Sequence, residues 1–227
     1  MEPLNGNHRV KKQNDILYSQ SVITFLFPLL AAPAICYILW DISQRRTLII
    51  WTATVIIYSL LRFLIIWQYR RNRPGPDDAG SWHDLFTGSV FISGIIWGTA
   101  PIILVPHEPA RIIEFTLYNG LTLLIICGLV AGAVVAYSIS KWVLFFYSFP
   151  ALLPPAFYLI SLGDKYNSTL GGFVVLYFIF ITASSFRLNR QLMSSMENEH
   201  KMQELRQQYE ELKSHYNQLK QYVSSRR

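Results

Sequence analysis

Six stretches of this 227-residue chain stay apolar for about as long as a helix needs to cross a bilayer, and that constraint leaves little besides a bundle of membrane helices. They run from Val22 to Trp40, Leu48 to Trp67, Leu85 to Val105, Ile112 to Ala136, Trp142 to Leu162, and Leu170 to Ser184. The last passes without a proline into a long polar helix pattern that reaches Val223. About 20 residues, at 1.5 Å of rise each, cover the hydrocarbon core. With 52% hydrophobic and 15% charged residues, grouped in blocks instead of alternating, an ordinary soluble domain is excluded. The expected fold is all-α: a polytopic membrane protein of six transmembrane helices, the last continuing into a cytoplasmic parallel coiled coil. Residues 1–21 read as a cytoplasmic N-terminal tail, 22–187 as the transmembrane domain and 188–227 as the coiled coil.

The charge pattern sets the expected orientation. The formal net charge of +6 comes from short Lys/Arg clusters between apolar blocks, which is topological and gives no reason to expect nucleic acid. Basic residues of the N-terminal tail, the loop of Arg70, Arg71 and Arg73, Lys141, and the segment from Arg187 onward fall on one side. Arg45, Arg46, Arg111 and Lys165 fall on the other. The positive-inside rule then puts both termini in the cytoplasm of a bacterial-type inner membrane. Ala32-Pro33-Ala34 resembles a signal cleavage site only faintly, and the apolar run continues past it to Trp40, so the first span is expected to stay uncleaved. Cys36 and Cys127 both lie inside apolar blocks, as packing residues would. The five histidines are scattered without metal-ligand spacing, so neither a metal nor another cofactor is expected.

The polar end of the chain carries a second strong pattern. Met202, Leu205, Tyr209, Leu212, Tyr216, Leu219 and Val223 recur at alternating steps of three and four, the seam of a coiled coil. Leu holds each d position, which favours a parallel homodimer. Carried backward, the same register places Asn198, Ser195 and Gln191 on the seam, where they weaken packing. A poorly packed segment with two nearly equal arrangements is what an input could bias.

Within the spans, small and polar residues mark contacts and candidate sites. Gly94 and Gly98 in the third span, and Gly128 and Gly132 in the fourth, thin a helix face so that a neighbour can approach closely. Pro28 and Pro33 should kink the first span, and Pro150, Pro154 and Pro155 break the fifth. Arg62, a charge within a span, has two placements open: snorkelling to the inner interface, or facing the bundle interior as part of a site. Trp82 reads as an interfacial anchor or a ligand contact, and Trp97 as core packing or the wall of a small pocket. Tyr118 and Asn119 are polar enough to bond across the bundle or to line a ligand site.

Arg62, Arg70-Arg71-Asn72-Arg73-Pro74, Trp82-x-x-x-Phe86-x-Gly88, Gly94-x-x-Trp97-Gly98 and Phe149-Pro150-x-Leu152-Leu153-Pro154 resemble the six-helix sensory regions that precede bacterial histidine-kinase or diguanylate-cyclase domains. The resemblance covers most of the chain, from about Thr47 to the coiled coil. It implies a dimeric sensor whose sixth helix drives a cytoplasmic coiled coil, with the output enzyme beyond Arg227 or on a signalling partner. The chain itself shows no phosphoacceptor histidine context, nucleotide loop or cyclase signature, so it is not expected to be an enzyme. The expected function is an input module for a small, hydrophobic or bilayer-related stimulus. A membrane scaffold with a static coiled coil, or a small transporter, is the alternative. Replacing Asn198, Ser195 and Gln191 together with Leu should lock the seam and abolish input-dependent change in cysteine crosslinking across it. Unchanged switching in that variant would remove the bistable segment from the account.

Overall fold

A computed structural model describes residues 6–107 and 109–224, without the side chains at 7–9, 21–25, 109, 196–197, 199–200, 203–204, 211 and 214–224. The described residues are helical, with no strand. The order is α1 (Gly6–Ile38), α2 (Arg45–Asn72), α3 (Ala79–Ile103), a 3-10 turn (Pro109–Arg111), α4 (Ile112–Tyr137), α5 (Lys141–Ser161) and α6 (Lys165–Ser224). Helices α2 to α5 and the segment Lys165–Ser195 of α6 are each long and apolar enough to cross a membrane. The described apolar part of α1, Leu26–Ile38, is shorter. Large apolar side chains such as Leu30, Ile57, Leu124, Phe173 and Phe180 face outward on these helices, an arrangement suited to lipid and costly in water. The chain is thereby marked as membrane-embedded. Contacts divide it into two units, residues Met1–Phe186 and Arg187–Arg227.

The polar segment read as a tail is helical from Gly6 and continuous with the apolar part of α1. It is held by its own polar residues. Asn14, fully buried, donates through Nδ2 to the Ala79 carbonyl at 2.8 Å, and its Oδ1 lies 2.9 Å from His83 Nδ1. Tyr18 stacks on Tyr69 with ring centroids 3.8 Å apart and donates to the Trp82 carbonyl. Tyr69 donates to Asp15 at 2.7 Å, and Arg70 Nη2 donates to the carbonyls of Tyr18 and Ser19. These bonds fasten α1 to the end of α2 and the start of α3. Helix α2 stops there because Arg73 adopts a left-handed φ of 44°, bonds back to the Tyr69 carbonyl and precedes Pro74.

Helices α3 and α5 form the closest pair in the bundle, and the sequence explains how. A Cβ added at Gly94 would strike the Tyr147 carbonyl and the Pro150 ring, and one at Gly98 would strike the Pro150 carbonyl. Pro154 has no N–H, so the Pro150 carbonyl loses the helical partner four residues on. The freed oxygen faces Gly98, where a side chain would strike it. Despite three prolines, α5 is a single helix from Lys141 to Ser161, so the expected break is not found. The Pro150 carbonyl lies against the bare face of α3, and neighbouring helices of this kind let membrane helices keep proline.

Two of the four expected packing glycines therefore do that work in this chain. Gly128 and Gly132 are exposed, and no atom among the described residues would meet a Cβ at either. Helix α6 joins the bundle through Gly171, which lies against the Ala156 carbonyl, and through Tyr177, which donates to the Cys127 carbonyl at 2.7 Å. Its first turn is capped by Asp164, which accepts from the Asn167 backbone at 2.9 Å. Slight burial raises the Asp164 carboxyl, and the Asn167 hydrogen bonds more than offset this, holding it below the usual carboxylate range.

Gly98→Val should force α3 off α5 and destabilise the bundle by about 1–3 kcal/mol. Gly88→Ala, on the same helix with open space around it, should be neutral or mildly stabilising. Thermal unfolding of the two variants in the same detergent checks the difference.

Candidate functional site

Helix α2 buries Leu48, Trp51, Val55, Ser59, Arg62, Ile66 and Tyr69, a stripe at steps of three and four that points into the bundle. Arg62 sits in that stripe, and its register decides between its two expected placements. It is only 7% exposed and faces the interior. One turn earlier, Tyr58 donates to the Ser89 carbonyl at 2.6 Å, which fixes the adjoining faces of α2 and α3.

The guanidinium is poorly matched by its surroundings. Nη2 donates to the Tyr137 hydroxyl at 3.0 Å, and the carbon of the guanidinium lies 5.9 Å from the Phe86 ring centroid. Nε is buried and has no hydrogen-bond partner among the described residues. No carboxylate among them forms an ion pair with it. Arginine keeps its proton in proteins, so the charge stays in a region of low dielectric. A charge so placed is expensive in a membrane and is compensated by partners.

Beside it lies a cavity of about 70 Å³ lined by Phe27 and Pro28 of α1, Ser93 of α3, Gly128, Leu129, Gly132 and Ala133 of α4, and the tyrosines Tyr137 and Tyr147. Among the described residues, Arg62 is the one charged group in that lining. Tyr137 and Tyr147 are edge-to-face at 6.0 Å, and Phe86 meets Tyr137 edge-on at 5.8 Å. Gly128 and Gly132 form the rim.

The other expected site residues lie elsewhere. Trp97 is 1% exposed and packs edge-on against Trp51 at 5.4 Å, which makes it core, one turn beyond Ser93 on α3. Trp82 joins the aromatic cluster of Tyr18 and Tyr69, with centroids 6.2 and 5.4 Å away. Asn119 is fully buried, and its Nδ2 donates to the Phe115 carbonyl of its own helix at 3.2 Å. Its bond therefore runs along α4 instead of across the bundle. Tyr118 lines a shallow recess at the far end, with Asp41, Arg111 and Glu114. Met202, Leu205, Tyr209 and Leu212 are all exposed on α6. The side chains of Tyr216, Leu219 and Val223 lie outside the described residues.

Tyr137, Tyr147 and Ser93 were not singled out from the sequence, although a tyrosine inside the fifth apolar span and one at the end of the fourth were a signal available there. Among the described residues no group of His, Cys, Asp and Glu could hold a metal ion. No protein-family model matches the chain, and no match is found among curated proteins or solved structures.

Tyr137→Phe removes the acceptor of Arg62 Nη2 and should cost about 1–3 kcal/mol, the usual penalty for stranding a buried polar group. Tyr166→Phe, at an exposed position, should leave the thermal midpoint unchanged when both are melted in detergent.

Proposed function

We propose that the chain is a membrane sensory module, a bundle of six spans that detects a small hydrophobic or bilayer-related stimulus and passes it through a dimeric coiled coil to a kinase or cyclase output. In this reading α1 supplies the first span, the membrane is a bacterial inner membrane, and both termini are cytoplasmic. The observation that carries it is α6. One helix, Lys165–Ser224, contains both the residues packed against α4 and α5 and the heptad stripe. Four described residues of that stripe, Met202, Leu205, Tyr209 and Leu212, are 55–70% exposed in the single chain. A repeating apolar seam left in water is stabilised by a second copy of itself. The buried cavity supplies a place within the bundle for a stimulus to act, and the resemblance of its helices to bacterial sensory regions points the same way.

The scaffold alternative shares the dimer and differs in having a seam that never changes state. With Cys36 and Cys127 replaced by Ala, Leu205→Cys should crosslink as a dimer in native membranes more strongly than Arg206→Cys. Its yield or rate should change when the Arg62 cavity is altered by Tyr137→Phe. Absence of crosslinking at Leu205 would remove the dimeric seam, and crosslinking indifferent to the bundle variant would favour the scaffold.

A further inference from the structure

We infer that the Arg62 cavity is an anion site that takes the carboxylate or phosphate headgroup of a single-chain amphiphile entering sideways from the bilayer. This deepens the sensory reading, on which its signalling consequence rests, by naming the ligand class.

The charge comes first. Arg62 is more than nine-tenths buried, has one neutral hydroxyl as its hydrogen-bond partner among the described residues, leaves Nε unpaired, and lines the open volume. A guanidinium presents its donors as a fixed fork, and a planar carboxylate or a phosphate oxygen pair is the complement of that fork. Neutral ligands would leave the charge uncompensated. Ser93 and the hydroxyls of Tyr137 and Tyr147 are the remaining polar groups of the lining, and each has an O–H able to donate to an oxyanion.

Size and access then select the rest of the ligand. A cavity of about 70 Å³ holds a headgroup and is far below the several hundred Å³ of a typical site for a whole drug-sized molecule. A tail must lie outside. On α4 the outward residues Leu117, Leu121, Leu124, Gly128, Ala131, Gly132 and Val135 recur at helical spacing and are exposed and apolar. The smallest of them that line the cavity, Gly128 and Gly132, are exposed where it meets that face. Phe27 of α1, 58% exposed, stands at the same opening. The cavity mouth is therefore on a face suited to acyl chains, with a gap in the side-chain cover among the described residues. An alkyl chain along α4 would remain in hydrocarbon while its headgroup reached Arg62.

The test uses the full chain in neutral phosphatidylcholine nanodiscs and radiolabelled dodecanoate, displaced by dodecanoate, dodecyl phosphate, dodecanol, acetate or inorganic phosphate. The expected result is saturable binding displaced by both anionic amphiphiles, weakly by the headgroup ions, and not by dodecanol. Arg62→Gln should weaken binding by roughly tenfold or more, the scale of one charge-assisted pair. Gly132→Leu keeps Arg62 and has space for its Cβ, so it should fold with an unchanged thermal midpoint and lose binding by blocking the mouth. Displacement by dodecanol as effective as by dodecanoate, or wild-type binding in a folded Arg62→Gln protein, would overturn the anion site. Binding of acetate or inorganic phosphate without the amphiphiles, or undiminished binding in Gly132→Leu, would overturn lateral entry of an amphiphile. Leu205→Cys crosslinking read in the same samples separates the two levels. Arg62-dependent binding with unchanged crosslinking upholds the site and removes the sensory reading.

Discussion

A guanidinium held inside an apolar bundle must find compensation, and much of this structure is arranged around where Arg62 finds it. Its place in the inward stripe of α2 prevents escape to the interface. The Tyr137 hydroxyl offers a neutral acceptor, and the Phe86 ring offers a face to the cation. Neither matches a full charge in low dielectric. What remains uncompensated is a preference for an oxyanion, and the cavity that Arg62 lines is where one would sit. A residue costly to bury gains its use from the same cost.

The bundle around that charge depends on a different device, the fit of a glycine face to a proline-bearing helix. Proline in α5 removes hydrogen-bond donors and leaves carbonyls whose only recourse in a bilayer is a neighbouring element. Gly98 lets α3 approach closely enough to cover the one at Pro150, and Gly94 admits the Tyr147 carbonyl and the Pro150 ring. Because hydrophobicity gives little drive for helix association within lipid, such close backbone contact supplies much of the packing energy. At the other end of the bundle the polar start of α1 is fixed through Asn14, Tyr18, Tyr69 and Arg70, so its helix is ordered by tertiary hydrogen bonds where its own composition gives no apolar face.

The candidate site was partly legible. Arg62 stands out in any reading because a charge in an apolar run needs a reason, yet whether it snorkels depends on which face α2 turns inward. The stripe Leu48, Trp51, Val55, Ser59, Arg62, Ile66, Tyr69 could have settled that from spacing. Trp97 drew attention because it lies between two glycines, and those glycines instead bring α5 so close that no space is left for a ligand. Gly128 and Gly132 carried the same packing signature as Gly94 and Gly98. Small residues report that a backbone can be approached, and they are silent about what approaches it.

What the sequence by itself determined is the all-helical, membrane class of fold and the stop of α2, since apolar blocks of bilayer length and the Arg73-Pro74 stop are local properties of the chain. It also determined the heptad, a periodicity that needs no knowledge of the rest. Only the tertiary structure decided that the polar N-terminal segment is the opening of α1, that α5 survives its prolines, and that Arg62 meets Tyr137, seventy-five residues away, beside an open cavity. Each of those depends on which faces of different helices come together, and in a bilayer that choice is set by close packing and hydrogen bonds between distant residues, which no local pattern encodes.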